Sequence, residues 1–395
     1  MKQVVSSEKI PIKMWLDDME DSALLQAMNL ANLPFAFHHI AIMPDSHSGY
    51  GMPIGGVLAT DGVVIPNAVG VDIGCGMCAM KTTLKYADVK DSLKDILGEI
   101  RKTIPVGFNH HKNPIDKNQM PLPPFGVGGQ QTVCEREFEK ARYQLGTLGG
   151  GNHFIEIQKD EENNTWVMIH SGSRNLGKQV AEHYNNLAIE LNEKWHSSIP
   201  KKQELAFLPL NSEEGQDYMK EMQYCVNFAL ANRHQMMFRV IQILESEMWK
   251  KGISFEIEPI INIAHNYAQL EKHFGKTVVI HRKGATLARI GLLGIIPGSQ
   301  GTSSYIVEGL SNRDSFESCS HGAGRKMGRG VAQRTLDLGE EQKKLDDQGI
   351  LHSVRGVKDL DEAPGSYKSI DEVMDNQKDL VIIKTKLTPL AVVKG

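Results

Sequence analysis

An α/β fold of mixed α+β type is predicted by three helical periodicities, a series of short apolar runs with strand character, and the lack of any repeat or linker that would divide them. HHIAIMP reads as a strand leading into Asp45, and GVDIGCGMCAM as a strand broken by glycine. Helical spacing covers about 87–101. Residues 100–128, with His110, His111, Pro114, Pro121, Pro123 and Pro124, read as an irregular surface excursion. NHFIEI and TWVMIHS are strands, and a second helix covers about 177–196. A long helix follows at about 212–249, with Asn211 ahead of Glu214 as its cap. EIEPIINIAH, TVVIH, ARIGLLGIIP and DLVIIKTKLTPLAVVKG complete the strands. One large domain spanning 1–395, with central sheets that carry a cleft, is the simplest organisation.

Composition narrows the function classes. Hydrophobic residues make 41% and charged residues 23% of the chain, as in globular enzymes rather than disordered or fibrous chains. A formal net charge of -4 excludes bulk electrostatic attraction to nucleic acid, so any such contact has to be local. The cysteines, Cys75, Cys78, Cys134, Cys225 and Cys319, are odd in number and scattered, which does not suggest a disulfide framework. The first residues lack a secretory h-region, and no apolar run of about eighteen residues occurs, so a cytoplasmic protein without a membrane span is expected.

Several short strings carry chemistry. His153 in GGGNHFIEI, His170 in WVMIHSGSR and His265 in INIAHNY each adjoin an apolar run, and singly each fits a hydrogen-bonded core histidine. With Asp72 and Cys75 on the glycine-punctuated GVDIGCGMC, they make a transition-metal donor set whose ligand types suit Zn, Fe, Co or Mn alike. Cys75 and Cys78 also form a CxxC pair, open to a redox or zinc-knuckle reading, although no second pair completes a knuckle. SGSRNLGKQ has Gly172, Gly177 and Lys178 in P-loop spacing, but Gln179 stands where a magnesium-binding hydroxyl belongs; Arg174 and the backbone N–H groups there still suit an anion. In SFESCSHGAGRKMGR, Gly322 and Gly324 leave room beside His321, while Arg325, Lys326 and Arg329 supply charge for phosphoryl oxygens. The plain alternative is a glycine-rich helix start with an incidental histidine. GTLGGG before Asn152 and IIPGSQGTSS with Ser299 and Ser304 are turns when taken alone.

In their order, MPDSHSGYGMPIGG, GVDIGCGM, LGTLGGGNHFIEI, MIHSGSRNLG, INIAHNYAQ, HRKGA, IIPGSQGTSSY, SHGAGR, DEAPGSYK and VVKG resemble the RtcB family of RNA ligases over nearly the whole chain. The resemblance implies the fold peculiar to that family. It also implies joining of an RNA 3′-phosphate or 2′,3′-cyclic phosphate end to a 5′-hydroxyl end, driven by GTP and Mn²⁺, in tRNA splicing or RNA repair. By the same resemblance, Asp72, Cys75, His153, His170 and His265 fall on ligands of two Mn²⁺ ions, Cys75 bridging them, and His321 on the histidine that accepts GMP. Asn152, Phe154, Glu156, Asn266, Ser299, Ser304, Gly322, Ala323, Gly324, Tyr367 and Lys394 fall around the guanylate. Arg174, Arg325 and Arg329 fall on RNA or phosphate contacts, and Asp45 lies near the site without an assigned role. The chain departs from the family pattern at Gln300, a frequent Met, and Gly328, a common Ser.

RNA is the implied partner of a monomer, and the need for an accessory activator is left open. Two rivals use the same residues differently. A metal-dependent phosphoesterase or nuclease would need no covalent nucleotide. An RNA-binding or chaperone-like protein with a structural metal would join nothing, and no separate RNA-binding module supports it.

Overall fold

The computed structural model describes residues 1–126 and 129–395. The last residues of the 100–128 excursion, 127 and 128, therefore lie outside the described residues. The excursion begins later than the sequence suggests, because the helix Leu93–Thr103 buries Leu93, Ile96, Leu97 and Ile100 and runs on through residue 103. Among the described residues, a short 3-10 turn, Lys117–Gln119, lies inside it.

Two sheets organise the molecule. Gln3–Val5, Ile12–Met14, Ala36–His47, Ile54–Thr60, Lys276–Lys283 and Asn266–His273 form one, in that spatial order, with only the second and third strands parallel. The other is antiparallel throughout, in the order Ile261–Ala264, Gly76–Lys85, Asn164–Ser171, Phe154–Lys159, Val381–Lys394, Ser304–Gly309 and Leu293–Ile296. Its edge strands approach each other, so it curls nearly closed around Met77, Ala79, Trp166, Met168, Ile295, Ile306 and Leu387. Period-two alternation sends the neighbouring residues outward. Cys78, Met80, Ile155, Ile157, Val167 and Ile169 pack there with Leu93–Thr103 and the helix Glu213–Trp249. The architecture is mixed α/β, as expected.

Local chemistry explains where the sequence reading of elements shifts. The long helix is capped by Ser212, whose Oγ accepts from the Gly215 N–H at 3.1 Å, and not by Asn211. GVDIGC is a turn, and its strand starts at Gly76. EIEPIINIAH and ARIGLLGIIP are strands only over Ile261–Ala264 and Leu293–Ile296. Among the described residues, no helix is long and apolar enough to cross a membrane.

Candidate metal and nucleotide site

The site lies on the seam between the sheets. The chain leaves the curled sheet at Ala264, passes through His265 and enters the other sheet at Asn266. Cys75 just precedes Gly76–Lys85, His153 just precedes Phe154–Lys159, and His170 falls near the end of Asn164–Ser171. Neighbouring antiparallel strands thus deliver these side chains to one rim. On the facing side, His321 follows the strand Ser318–Ser320, which pairs with Ala285–Leu287.

The donor atoms converge. Cys75 Sγ lies 3.5 Å from His153 Nε2 and 3.3 Å from His170 Nε2, and Asp72 Oδ2 is 3.1 Å from the same His153 nitrogen. Backbone carbonyls set both tautomers. His153 Nδ1 donates to Leu148 O at 3.0 Å and His170 Nδ1 to Asn152 O at 3.2 Å, which leaves each Nε2 lone pair for the cluster. The His265 ring stands 5.2 Å from that of His170 and 4.8 Å from that of His321, centroid to centroid. Its Nδ1 is buried with no hydrogen-bond partner among the described residues. Burial, reinforced by neighbouring imidazoles, holds His170 and His265 well below the usual histidine range, so both are neutral donors. Burial and the Asp72 carboxylate raise the Cys75 thiol, as expected for a thiolate awaiting a cation. Cys75, His153 and His170 offer a sulfur and two imidazole nitrogens within 4.8 Å of one another, with the Asp72 carboxylate on His153 and the His265 ring next to His170, a donor set that fits a transition metal.

His321 is oriented by Asp45. The fully buried carboxylate places Oδ2 2.6 Å from His321 Nδ1, and the same oxygen accepts from the backbone N–H groups of His321 at 3.0 Å and Gly322 at 3.2 Å. Burial opposes the charge of Asp45, but His321, His47 and Lys368 outweigh it and keep the carboxyl below its ordinary range. Gly324 has φ +73°, and a Cβ there would meet the Asp45 carbonyl at 2.1 Å, so the glycine is required for this close packing. No helix begins at the histidine; the next one starts at Arg329.

A cavity of about 460 Å³ joins the two halves, large enough for a nucleotide. Asp72, Cys75, Asn152, Phe154, Glu156, His170, His265, Asn266, Ser299, His321, Gly322, Ala323, Gly324, Arg325, Arg329, Tyr367 and Lys394 line it. His153 and Ser304 stand behind its wall. Ser304 Oγ accepts from Gly298 N at 3.2 Å and from Gln158 Nε2 at 3.1 Å. Asn266 ties the parts together, donating to Asp72 O at 3.1 Å and accepting from Gly284 N at 2.7 Å. Burial raises the Glu156 carboxyl to about 8, against the opposing pull of Gln158 and Lys394. Arg174 lies outside the lining, and its guanidinium donates to Thr147 Oγ1 and the Gly107 carbonyl, at 3.2 and 3.1 Å.

The rival motifs resolve physically. Cys78 is fully buried among core side chains on the strand face away from Met77, and burial pushes its thiol up to about 12. It is no partner for Cys75 in a dithiol. In SGSRNLGKQ, a Cβ at Gly172 would meet Asp72 Oδ1 at 2.1 Å, so this glycine serves close packing on the donor cluster. Lys178 is exposed and faces Glu182 at 3.5 Å.

The family model described as tRNA-splicing ligase RtcB matches residues 26–123 and 125–395. The chain belongs to the RtcB family. It is 39% identical to an Escherichia coli protein named RNA-splicing ligase RtcB1, over 100% of this chain and 99% of that one. Its identity to RNA-splicing ligase RtcB of Escherichia coli K12 is 38%, with the same coverage. To the Thermococcus kodakarensis tRNA-splicing ligase RtcB it is 33%, over 98% of this chain and 95% of the relative.

Within this RtcB chain, the sequence reading missed an acidic hub. Glu362 is buried, and its carboxylate meets Lys394 Nζ at 2.6 Å, Tyr367 Oη at 2.6 Å and Arg329 Nη1 at 3.0 Å, with Arg325 also paired to it. Asp361 adds a contact of 2.6 Å to Arg329. Burial opposes this charge, yet Lys394 and Arg325 bring the Glu362 carboxyl down to about 2. The signal was available, since DEAPGSYK contains both acids beside Tyr367. Lys283 was also missed. Burial lowers its ammonium to about 7, while Nζ donates to the carbonyls of Tyr50 at 2.6 Å and Asn67 at 2.9 Å.

Proposed function

We propose that this chain is a GTP- and Mn²⁺-dependent RNA ligase that joins 3′-phosphate or 2′,3′-cyclic phosphate ends to 5′-hydroxyl ends. One catalytic domain spanning residues 1–395 acts as a cytoplasmic monomer in tRNA splicing or RNA repair. A single observation supports this most directly: an imidazole oriented by a buried carboxylate shares a nucleotide-sized cavity with a sulfur and nitrogen donor cluster that the Asp72 carboxylate adjoins.

Asp45 faces Nδ1, which leaves Nε2 of His321 as the nucleophile. It attacks the α-phosphorus of GTP, a phosphorus–nitrogen bond forms, and pyrophosphate leaves. Asp45 offsets the positive charge that develops on the ring. An oxygen of the RNA 3′-phosphate then attacks that phosphorus, the P–N bond breaks, and His321 regains its lone pair. The RNA end now carries a pyrophosphate-linked guanosine. The 5′-hydroxyl oxygen attacks the RNA-side phosphorus, loses its proton, and expels GMP. A cyclic phosphate end is first hydrolysed by water to the 3′-phosphate.

Asp72, Cys75, His153, His170 and His265 would hold the two Mn²⁺ ions, which supply Lewis acidity at phosphoryl oxygens and lower the pKa of water. Phe154, Tyr367, Lys394 and the Ser299 loop form the guanylate walls. Arg325 and Arg329 are paired with Glu362 and Asp361 and serve chiefly to fix those walls. Arg174 hydrogen-bonds to neutral oxygens among the described residues and its charge acts on the nearby Asp72 and Cys75, so a phosphate bound at that cluster would also meet it.

The test is joining of two synthetic RNAs, one ending in 3′-phosphate and one beginning with 5′-hydroxyl. Product that requires both GTP and Mn²⁺ is expected. Removal of the 3′-phosphate without joining would favour the phosphoesterase reading.

A further inference from the structure

One part of the cavity wall contains none of the residues assigned to metal, guanylate or phosphate. Its tip is Tyr50, in the string Ser48-Gly49-Tyr50-Gly51. The backbone there is pinned on every side. Gly49 N donates to Gln26 Oε1 and Gly51 N to Glu204 Oε2, both at 3.1 Å. Ser48 Oγ donates to Glu20 Oε2 at 2.7 Å, and Lys283 Nζ donates to the Tyr50 carbonyl at 2.6 Å. Gly51 has φ +67°, and a Cβ there would lie 2.5 Å from the Glu204 carbonyl. The turn therefore cannot rearrange cheaply.

Its side chain is the opposite. Tyr50 is 68% exposed while lining the reaction cavity, and its hydroxyl and ring make no hydrogen bond or ring contact among the described residues. Val71, 49% exposed, lines the same cavity. Lys283 holds these elements together, because its second bond goes to Asn67 O at 2.9 Å in the segment that leads to Val71. A rigid backbone that presents an idle aromatic ring at the mouth of a phosphoryl-transfer site is pre-organised for a flat apolar partner. On a chain of net charge -4, stacking supplies RNA affinity that bulk electrostatics does not.

We infer that Tyr50 is a stacking platform for an unpaired RNA base at the ligation junction, with the exposed Val71 on the same cavity wall, and that it positions the RNA strand and not GTP. This rests on the RNA-ligase reading for its substrate class. Tyr50 is a positioning residue; no bond forms or breaks on it.

The test uses the full-length protein and RNA ends that carry 2-aminopurine as the terminal base, on either strand. Binding to the wild type quenches that fluorescence for one of the two ends, and Tyr50→Ala loses the quench, whereas Tyr50→Phe and Tyr50→Trp retain it. This readout needs no joining, so it stands or falls separately from the ligase reading. In ligation, Tyr50→Ala raises KM for RNA on the order of tenfold and leaves GMP labelling from GTP unchanged. Replacing the stacked base by an abasic site abolishes the difference between wild type and Tyr50→Ala. The inference is overturned if the quench survives in Tyr50→Ala, if the RNA KM does not move, if the penalty persists on abasic ends, or if GMP labelling falls in parallel.

Discussion

Among the described residues, two clusters bring metal-type side chains together, and they differ in the charge that surrounds them. Glu271, His273 and Glu317 lie as close together as Cys75, His153 and His170. In the first, cations already fill the role of an ion. Arg282 makes a bidentate pair with Glu271, Arg289 reaches both Glu271 at 3.0 Å and Glu317 at 2.5 Å, and His273 Nε2 lies 3.0 Å from Glu271. In the second, no arginine pairs directly with the donors among the described residues, and Arg174 acts on Asp72 and Cys75 only through its charge. The imidazole tautomers there are set by carbonyls, and the Nδ1 of neighbouring His265 has no partner among the described residues. Donor type is therefore insufficient; the state of the charge around the donors decides.

The comparison breaks most visibly at Cys75. Cys75→Ala is expected to lose bound Mn²⁺ and GMP labelling together, by more than the roughly 10–100-fold that losing a supporting hydrogen bond costs. Elemental analysis beside labelling checks it, and metal retained at wild-type level would place the site elsewhere. Glu271→Gln is the mirror experiment. It leaves metal content unchanged but strands Arg282 in the core, for about 3–5 kcal/mol of stability in denaturant melts. Its pH dependence has a definite sign. Burial disfavours the Glu271 charge, but Arg282, His273 and Arg289 bring the folded carboxyl to about 2, below its ordinary 4.5. The stabilisation is thus fully present above about 4.5 and disappears as pH falls through about 2, so wild type and variant converge over that window.

Smaller effects sharpen the account. Lys394→Ala removes a cation from the cavity wall proposed to hold the guanylate, where Nζ also lies 5.7 Å from the Phe154 ring centroid. About a tenfold rise in KM for GTP is expected, the weight of one charge-assisted contact. An unchanged KM would remove Lys394 from the site. Cys78→Ala costs about 1 kcal/mol of stability and leaves labelling intact; labelling lost with Cys78 would restore the dithiol reading.

How much of this was legible depended on the range of the information. The histidines stood out because each adjoins an apolar run, and antiparallel pairing of those runs brings their ends together. Asp72 and Cys75 share one glycine turn and could be grouped by proximity in the chain. Asp45 could be noticed but given no role, since its partner His321 is 276 residues away and meets it only across the packed sheets. Glu362 escaped because it sits in a 3-10 segment without periodicity and gains meaning only when Arg325 and Arg329 from one segment and Lys394 from the last strand arrive beside it. The role of Gly172 is equally invisible in the string, where it imitates a phosphate loop, and plain in space, where it makes room for Asp72.

The central claim is that His321 becomes covalently attached to GMP. Mass spectrometry of the protein after incubation with GTP and Mn²⁺ tests it most directly: the account predicts a GMP adduct on the peptide that contains His321, and none in His321→Ala. An adduct on another residue, or one that persists in that variant, would contradict it.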